Sequence, residues 1–199
     1  MIMRHDTALA RRGLRLEFLT LGWNVVGIVV LAITALAARS VALAGFGLDS
    51  LIEIGASLVV VWELTGRDES RQRRALGAIA IAFALLALYL SVQGAVVLAA
   101  HHHAAASPVG IAWTALTAVA MFTLASGKAR TGAALGNPVL VTEGHVTRID
   151  GILATAVLVG LTLNALLGWW WTDPLAGFVL VVYATRECVH IARELRGRT

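Results

Sequence analysis

A chain of 199 residues with 58% hydrophobic and only 14% charged residues is not a soluble globular domain, since such domains carry about 25% charged residues. Its formal net charge of +4 does not mark a nucleic-acid binder either, because the basic residues stand in short clusters at the ends of apolar runs, where they set membrane orientation. The mean hydropathy of +0.80, the six Trp and the 19 Gly fit a helical membrane bundle, in which Gly lets helices approach and Trp sits at the interfaces.

Each span needs about 20 mostly apolar residues. The first covers 18–38, behind Arg11, Arg12 and Arg15; it is too long for the apolar part of a signal peptide and reads as an uncleaved first helix. After a minimal break at Arg39 and Ser40 the second covers 41–64, and a polar loop follows over 66–74. The third covers 75–100 and ends at His101, His102 and His103. Ser107 and Pro108 open the fourth, which is expected to end near Ser126, with a basic linker over 127–138 that holds Lys128 and Arg130. The fifth covers 139–167, the turn 168–174 carries Trp169, Trp170 and Trp171, and the sixth ends near Ile191.

Placing the N-terminus in the cytoplasm puts the basic linkers and the basic tail there too, with Arg39 left outside and Arg148 inside the fifth span. The expected fold is therefore an all-α membrane protein, a six-transmembrane-helix bundle with both termini cytoplasmic. Residues 1–16 form a cytoplasmic segment, 17–192 the membrane domain and 193–199 a cytoplasmic tail. The expected location is a bacterial-type plasma membrane. Cys188, the single cysteine, excludes an intramolecular disulfide and reads as a small apolar residue of the sixth span.

Most of the twelve acidic residues fall in loops or at helix ends. Asp49 and Glu53 do not: they lie inside the apolar run FGLDSLIEIGAS from Phe46 to Ser57. Asp150 is embedded in the fifth span, with Glu143 two turns before it. A charge at the centre of a bilayer costs about 2.5–3.5 kcal/mol on insertion scales, so several of them need a compensating partner. Asp49 and Glu53 are i and i+4 and share a helix face; Glu143 and Asp150 are i and i+7 and share another, with Thr147 between them. If the two faces meet, up to four carboxylates converge, and like charge and desolvation forbid their all being ionised unless a cation or protons neutralise them. A divalent cation and two protons are then interchangeable occupants, which is the physical basis of proton-coupled metal transport.

These residues are where the chain resembles the cation diffusion facilitator family. The family's second helix carries a small-residue lead-in followed by Asp-x-x-x-Asp, which Ser40 to Ser57 matches with Glu53 in place of the second Asp. Asn24 stands where the first helix of the family often supplies an Asn, and Asp173 and Pro174 match the start of its sixth helix. The family's fifth-helix pattern His-x-x-x-Asp, aligned on Asp150, places Val146 at the His position; Glu143 or Thr147 is then expected to supply what the His would, with the neighbouring His145 in reserve. The chain stops soon after its sixth helix and so resembles a short branch that lacks the cytoplasmic domain.

The resemblance implies a homodimeric secondary transporter, not an enzyme, without a prosthetic group. It would exchange a divalent cation from the cytoplasm against protons, zinc first and cobalt, cadmium, iron or manganese beside it. Asp49, Glu53, Asp150 and Glu143 would ligate the metal, with Asn24, Thr147 and His145 as auxiliary groups. Its partners would be the ion, protons and the lipid bilayer, with no nucleic acid. Two other classes compete. An integral-membrane enzyme acting on a lipid or prenyl substrate through metal-bound carboxylates would hold more Asp and Arg on one motif at a surface, and here only Arg148 is near. A non-transporting accessory protein would use the acids only to tie helices together. Arg148 is expected to pair with Glu53 or Glu143 when metal is absent or to snorkel towards the cytoplasm, and His101 to His103 to form a polar interfacial loop, with capture or release of metal as the alternative.

Overall fold

The computed structural model describes the backbone of residues 2–65, 69–136 and 138–197, and the side chains of 8–55, 77–136, 140–141, 143–193 and 195–196. The described residues form six helices and no strand: α1 (Ile2–Ala38), α2 (Val41–Thr65), α3 (Glu69–Ala99), α4 (Pro108–Leu135), α5 (Pro138–Leu167) and α6 (Thr172–Gly197).

Local signals fix several helix ends. Arg39 takes a left-handed conformation (φ 51°) just past α1, where helices commonly turn off, and the Ser40 hydroxyl accepts from the Leu43 amide at 3.0 Å to open α2. Ser107 caps α4 by accepting from the Gly110 amide, and Pro108 takes the first turn, where its missing N–H costs nothing. Gly136, at φ 61°, closes α4, and Pro138 opens α5 two residues later.

Several expected boundaries move. Residues 127–135, expected in a linker, continue α4 through to Leu135, because nothing before Gly136 breaks the helix and the run lies against α5. A Cβ on Gly132 would come within 2.8 Å of the Val141 amide nitrogen, and one on Gly144 within 2.9 Å of the Ala129 nitrogen. Only glycine admits that backbone approach, so the two helices are packed together along what looked like a loop. Of the polar loop expected over 66–74, residues 69–74 already belong to α3 and 66–68 lie outside the described residues; α1 likewise takes in most of the expected N-terminal segment.

Among the described residues five helices are long and apolar enough to cross a membrane, with candidate spans Ala8–Ala38, Gly77–Ala99, Pro108–Leu135, Glu143–Leu167 and Thr172–Arg193. The second expected span, 41–64, runs into residues 56–64, whose side chains lie outside the described set. Polarity is inverted relative to a soluble protein. Phe18, Ile33, Leu36, Val119 and Leu166 face outward, while Asn24, Asp49, Glu53, Thr114, Lys128, Thr147 and Asp150 are buried. An exterior this apolar is tolerable only against lipid, so the chain is built as an integral membrane protein.

The helices pack as a closed ring in the order α1, α4, α5, α6, α3, α2, with α2 also reaching across to α5 and α6. Short connections alternate their direction, so both termini lie at one end. The opposite end is tied by a buried network. Asp173, wholly buried at the start of α6, accepts from the Ser40 hydroxyl and from the Val41 amide at 2.9 Å, so a carboxylate from one helix caps another. The Ala105 amide donates to the Ala38 carbonyl at 2.9 Å, and Asn164 donates to the Ala104 carbonyl at 3.0 Å. Trp170 packs against the rings of His101 and His103. The histidine run is thus seated on the tryptophan turn, in keeping with an interfacial loop.

Candidate functional site

Among the described residues α2 packs against four other helices (α1, α3, α5 and α6), and its inward face carries the acids. Asp49 lies about 12 Å from the start of α2 at 1.5 Å per residue, flanked by Phe46 and Ser50, both buried. Glu53 follows one turn later on the same face. Across the seam, α5 presents Asp150 between the buried neighbours Thr147 and Leu153. The result is a cluster: Asp49, Glu53 and Asp150 each offer a carboxylate oxygen, and these atoms all lie within 4.8 Å of one another. The three residues are 1%, 9% and 4% exposed.

Their hydrogen bonding is incomplete. Asn24 on α1 donates from Nδ2 to Glu53 Oε2 at 3.3 Å. Asp49 Oδ1, Glu53 Oε1 and Asp150 Oδ1 are buried and have no hydrogen-bond partner. Buried polar atoms are nearly always paired, and three buried carboxyl groups that converge, each with an oxygen left unpaired, form a site that a cation would satisfy. All donors are oxygen, a set suited to hard and intermediate divalent ions. On α6, Tyr183 lies within electrostatic reach of all three acids, and Glu187, one turn further on and half-buried, acts on Asp49. Tyr183 is held edge-on by Phe83, with ring centroids 5.9 Å apart.

The other expected ligands are placed elsewhere. Glu143 is not part of the cluster: its Oε2 lies 3.8 Å from Lys128 Nζ, and Lys128 donates to Glu17 Oε2 at 2.9 Å. Sharing a face of α5 with Asp150 was not enough, because seven residues separate the two by about 10 Å along the axis. Thr147 is buried, but its hydroxyl donates back to the Glu143 carbonyl at 2.8 Å, satisfying its own helix. His145 is exposed, on the far side of α5 from the cluster. Arg148 is exposed too, and among the described residues no ion pair joins it to Glu53 or Glu143.

Four residues near the site escaped the sequence analysis: Glu17, Lys128, Tyr183 and Glu187. For Lys128 the signal was present. The buried stripe of α4 runs through Thr114, Thr117, Ala118, Met121, Ala125, Lys128 and Thr131, at the helical period. Tyr183 and Glu187 share a face of α6 at i and i+4. No family model matches this chain, and no curated protein matches it.

Proposed function

We propose that the protein is a secondary transporter of divalent metal cations, zinc or a related ion such as cobalt, cadmium, iron or manganese, of the cation diffusion facilitator type. It would export the ion from the cytoplasm against inward proton movement. In this reading α2 is a sixth membrane-spanning helix, both termini are cytoplasmic as the basic clusters favour, and two chains associate in the membrane. One observation carries the proposal: Asp49, Glu53 and Asp150, from two separate helices, bring carboxylate oxygens within 4.8 Å of one another deep in an apolar bundle, each with an oxygen left unpaired.

The ion would bridge α2 and α5. Asp49 and Glu53 move with one helix and Asp150 with the other, so any rocking of α2 against α5 dismantles the ligand set. Binding is thereby coupled to the relation between the helices, as alternating access requires. Three carboxylates exceed the charge of one divalent ion, and protons take up the charge when the ion leaves.

A lipid or prenyl enzyme needs cationic side chains to hold phosphate beside its metal. Arg148 is exposed and Lys128 is held on Glu17 and Glu143, which favours transport. The test is zinc uptake into inside-out vesicles with Asp49→Ala and Asp150→Ala. Both should abolish uptake. Transport at the parent rate by either variant would sink the site assignment, and turnover of a phospholipid or prenyl phosphate by the purified protein would favour the enzyme.

A further inference from the structure

Among the described residues Lys128 is the largest fully buried side chain, at 0% exposure. A buried ammonium is tolerated only when it is paired, and Lys128 is paired twice, with Glu17 of α1 at 2.9 Å and Glu143 of α5 at 3.8 Å. The pairing sits directly beneath the carboxylate cluster. Glu17 is i−7 from Asn24 on α1, and Glu143 is i−7 from Asp150 on α5. Two levels of acids are thus stacked about two helical turns apart, toward the end that bears the termini. Lys128 also acts on Asp150 electrostatically, and Glu17 Oε1 is a further buried acceptor without a partner. Among the described residues the upper level has no fixed cation of its own, whereas the lower level has one built into α4.

We propose that Lys128 is a tethered counter-cation: its ammonium occupies the Glu17–Glu143 pair and limits this acidic column to a single divalent ion, held at Asp49, Glu53 and Asp150. This rests on the transporter reading of the upper level. The physical reason is charge. Without Lys128 the lower pair would be two uncompensated carboxylates facing each other from α1 and α5, a place for a second divalent ion. With it, an ion arriving at the lower level must displace an ammonium that cannot diffuse away, so it passes rather than rests there. A merely structural ion pair would leave the number of bound ions unchanged.

The experiment is the stoichiometry of Zn²⁺ binding to the purified full chain in nanodiscs, by equilibrium dialysis and metal analysis. The parent and Lys128→Arg should each bind one ion per chain, Lys128→Gln two, and the triple variant Lys128→Gln, Glu17→Gln, Glu143→Gln one again. If the parent binds one ion and folded Lys128→Gln still binds one, the inference about Lys128 is overturned and the upper site stands. If the parent binds none, the transporter reading itself falls. Should Lys128→Gln fail to fold, Glu17→Gln with Glu143→Gln provides the alternative test. It leaves the ammonium uncompensated below the site and should weaken Zn²⁺ binding by about tenfold or more; unchanged affinity overturns the proposal.

Discussion

Asn24 on α1 and Glu53 on α2 meet through a buried hydrogen bond, Nδ2 donating to Oε2 at 3.3 Å. It aims one carboxylate oxygen at Asn24 and leaves Oε1 free of protein partners. Next to it, Trp23 stacks on Trp113 at 5.0 Å and donates from Nε1 to Thr117 at 3.0 Å, which fixes the rotation of α1 against α4 and hence the direction of Asn24. Groups that orient a metal ligand without touching the metal are typically worth about 10–100-fold in affinity. Asn24→Ala should weaken cation binding by that order. In the Glu53→Gln background the same change should add little, and an additive loss in titrations of the four proteins would break the link.

In the proposed site a cation and protons would compete for the same carboxylate oxygens. Lowering the pH should therefore weaken divalent cation binding, and binding should expel protons. Titration calorimetry in buffers of different ionisation enthalpy reads this directly. A heat that is independent of the buffer, together with an affinity that is flat in pH, would leave proton exchange without a physical basis in this site.

At the opposite end of the bundle, Asp173 holds the first turn of α2 from the first turn of α6. Asp173→Ala strands the buried Ser40 hydroxyl and Val41 amide, a loss of about 2–4 kcal/mol. At this chain length that lowers the melting midpoint by roughly 4–16 °C. Asp173→Asn keeps an acceptor and should lose about half as much. Cation affinity at 25 °C should be unaffected in both, because Asp173 is not among the cluster residues. A stable Asp173→Ala protein would mean that the cap is dispensable.

Sequence and structure agree that Asp49, Glu53 and Asp150 converge, and part where depth along a helix is involved. Asp49 and Glu53 were legible because an apolar run makes any ionisable residue conspicuous, and i, i+4 spacing fixes both face and level. Asp150 was legible for the first reason, and its meeting with α2 followed from the shared need for a counter-charge. Glu143 was misplaced because i, i+7 fixes a face and says nothing about level. Its partner Lys128 continues the helical-period stripe of α4, but stands in a stretch whose Gly, Lys and Arg resemble a loop. The helix continues there because Gly132 and Gly144 make room for α4 and α5 to touch, a tertiary reason that no local pattern states. Glu17 and Glu187 were passed over as helix-end charges, since hydropathy marks where a span stops but not which end residues turn inward.

That close approach can be tested where only backbone atoms stand in the way. A Cβ on Gly144 would meet the Ala129 nitrogen at 2.9 Å, the Ala125 carbonyl oxygen at 3.1 Å and the Ala129 Cα at 3.3 Å. All three are backbone atoms, so no rotamer change relieves the clash and the helices must separate. Gly144→Ala should cost about 1–3 kcal/mol, and Gly144→Val more, seen as a lower midpoint of thermal unfolding in detergent. Gly22, whose added Cβ meets nothing within 4 Å, is the control, and Gly22→Ala should be neutral or mildly stabilising. The displacement has a direction. Lys128 precedes Ala129 on α4 and Glu143 precedes Gly144 on α5, so spreading the contact lengthens the 3.8 Å pair before it reaches the shorter one to Glu17. Gly144→Ala should therefore lose the Lys128–Glu143 coupling in a double-mutant cycle while keeping that of Lys128 with Glu17. Equal loss of both would mean that α4 moves as a whole, with no pivot at this glycine.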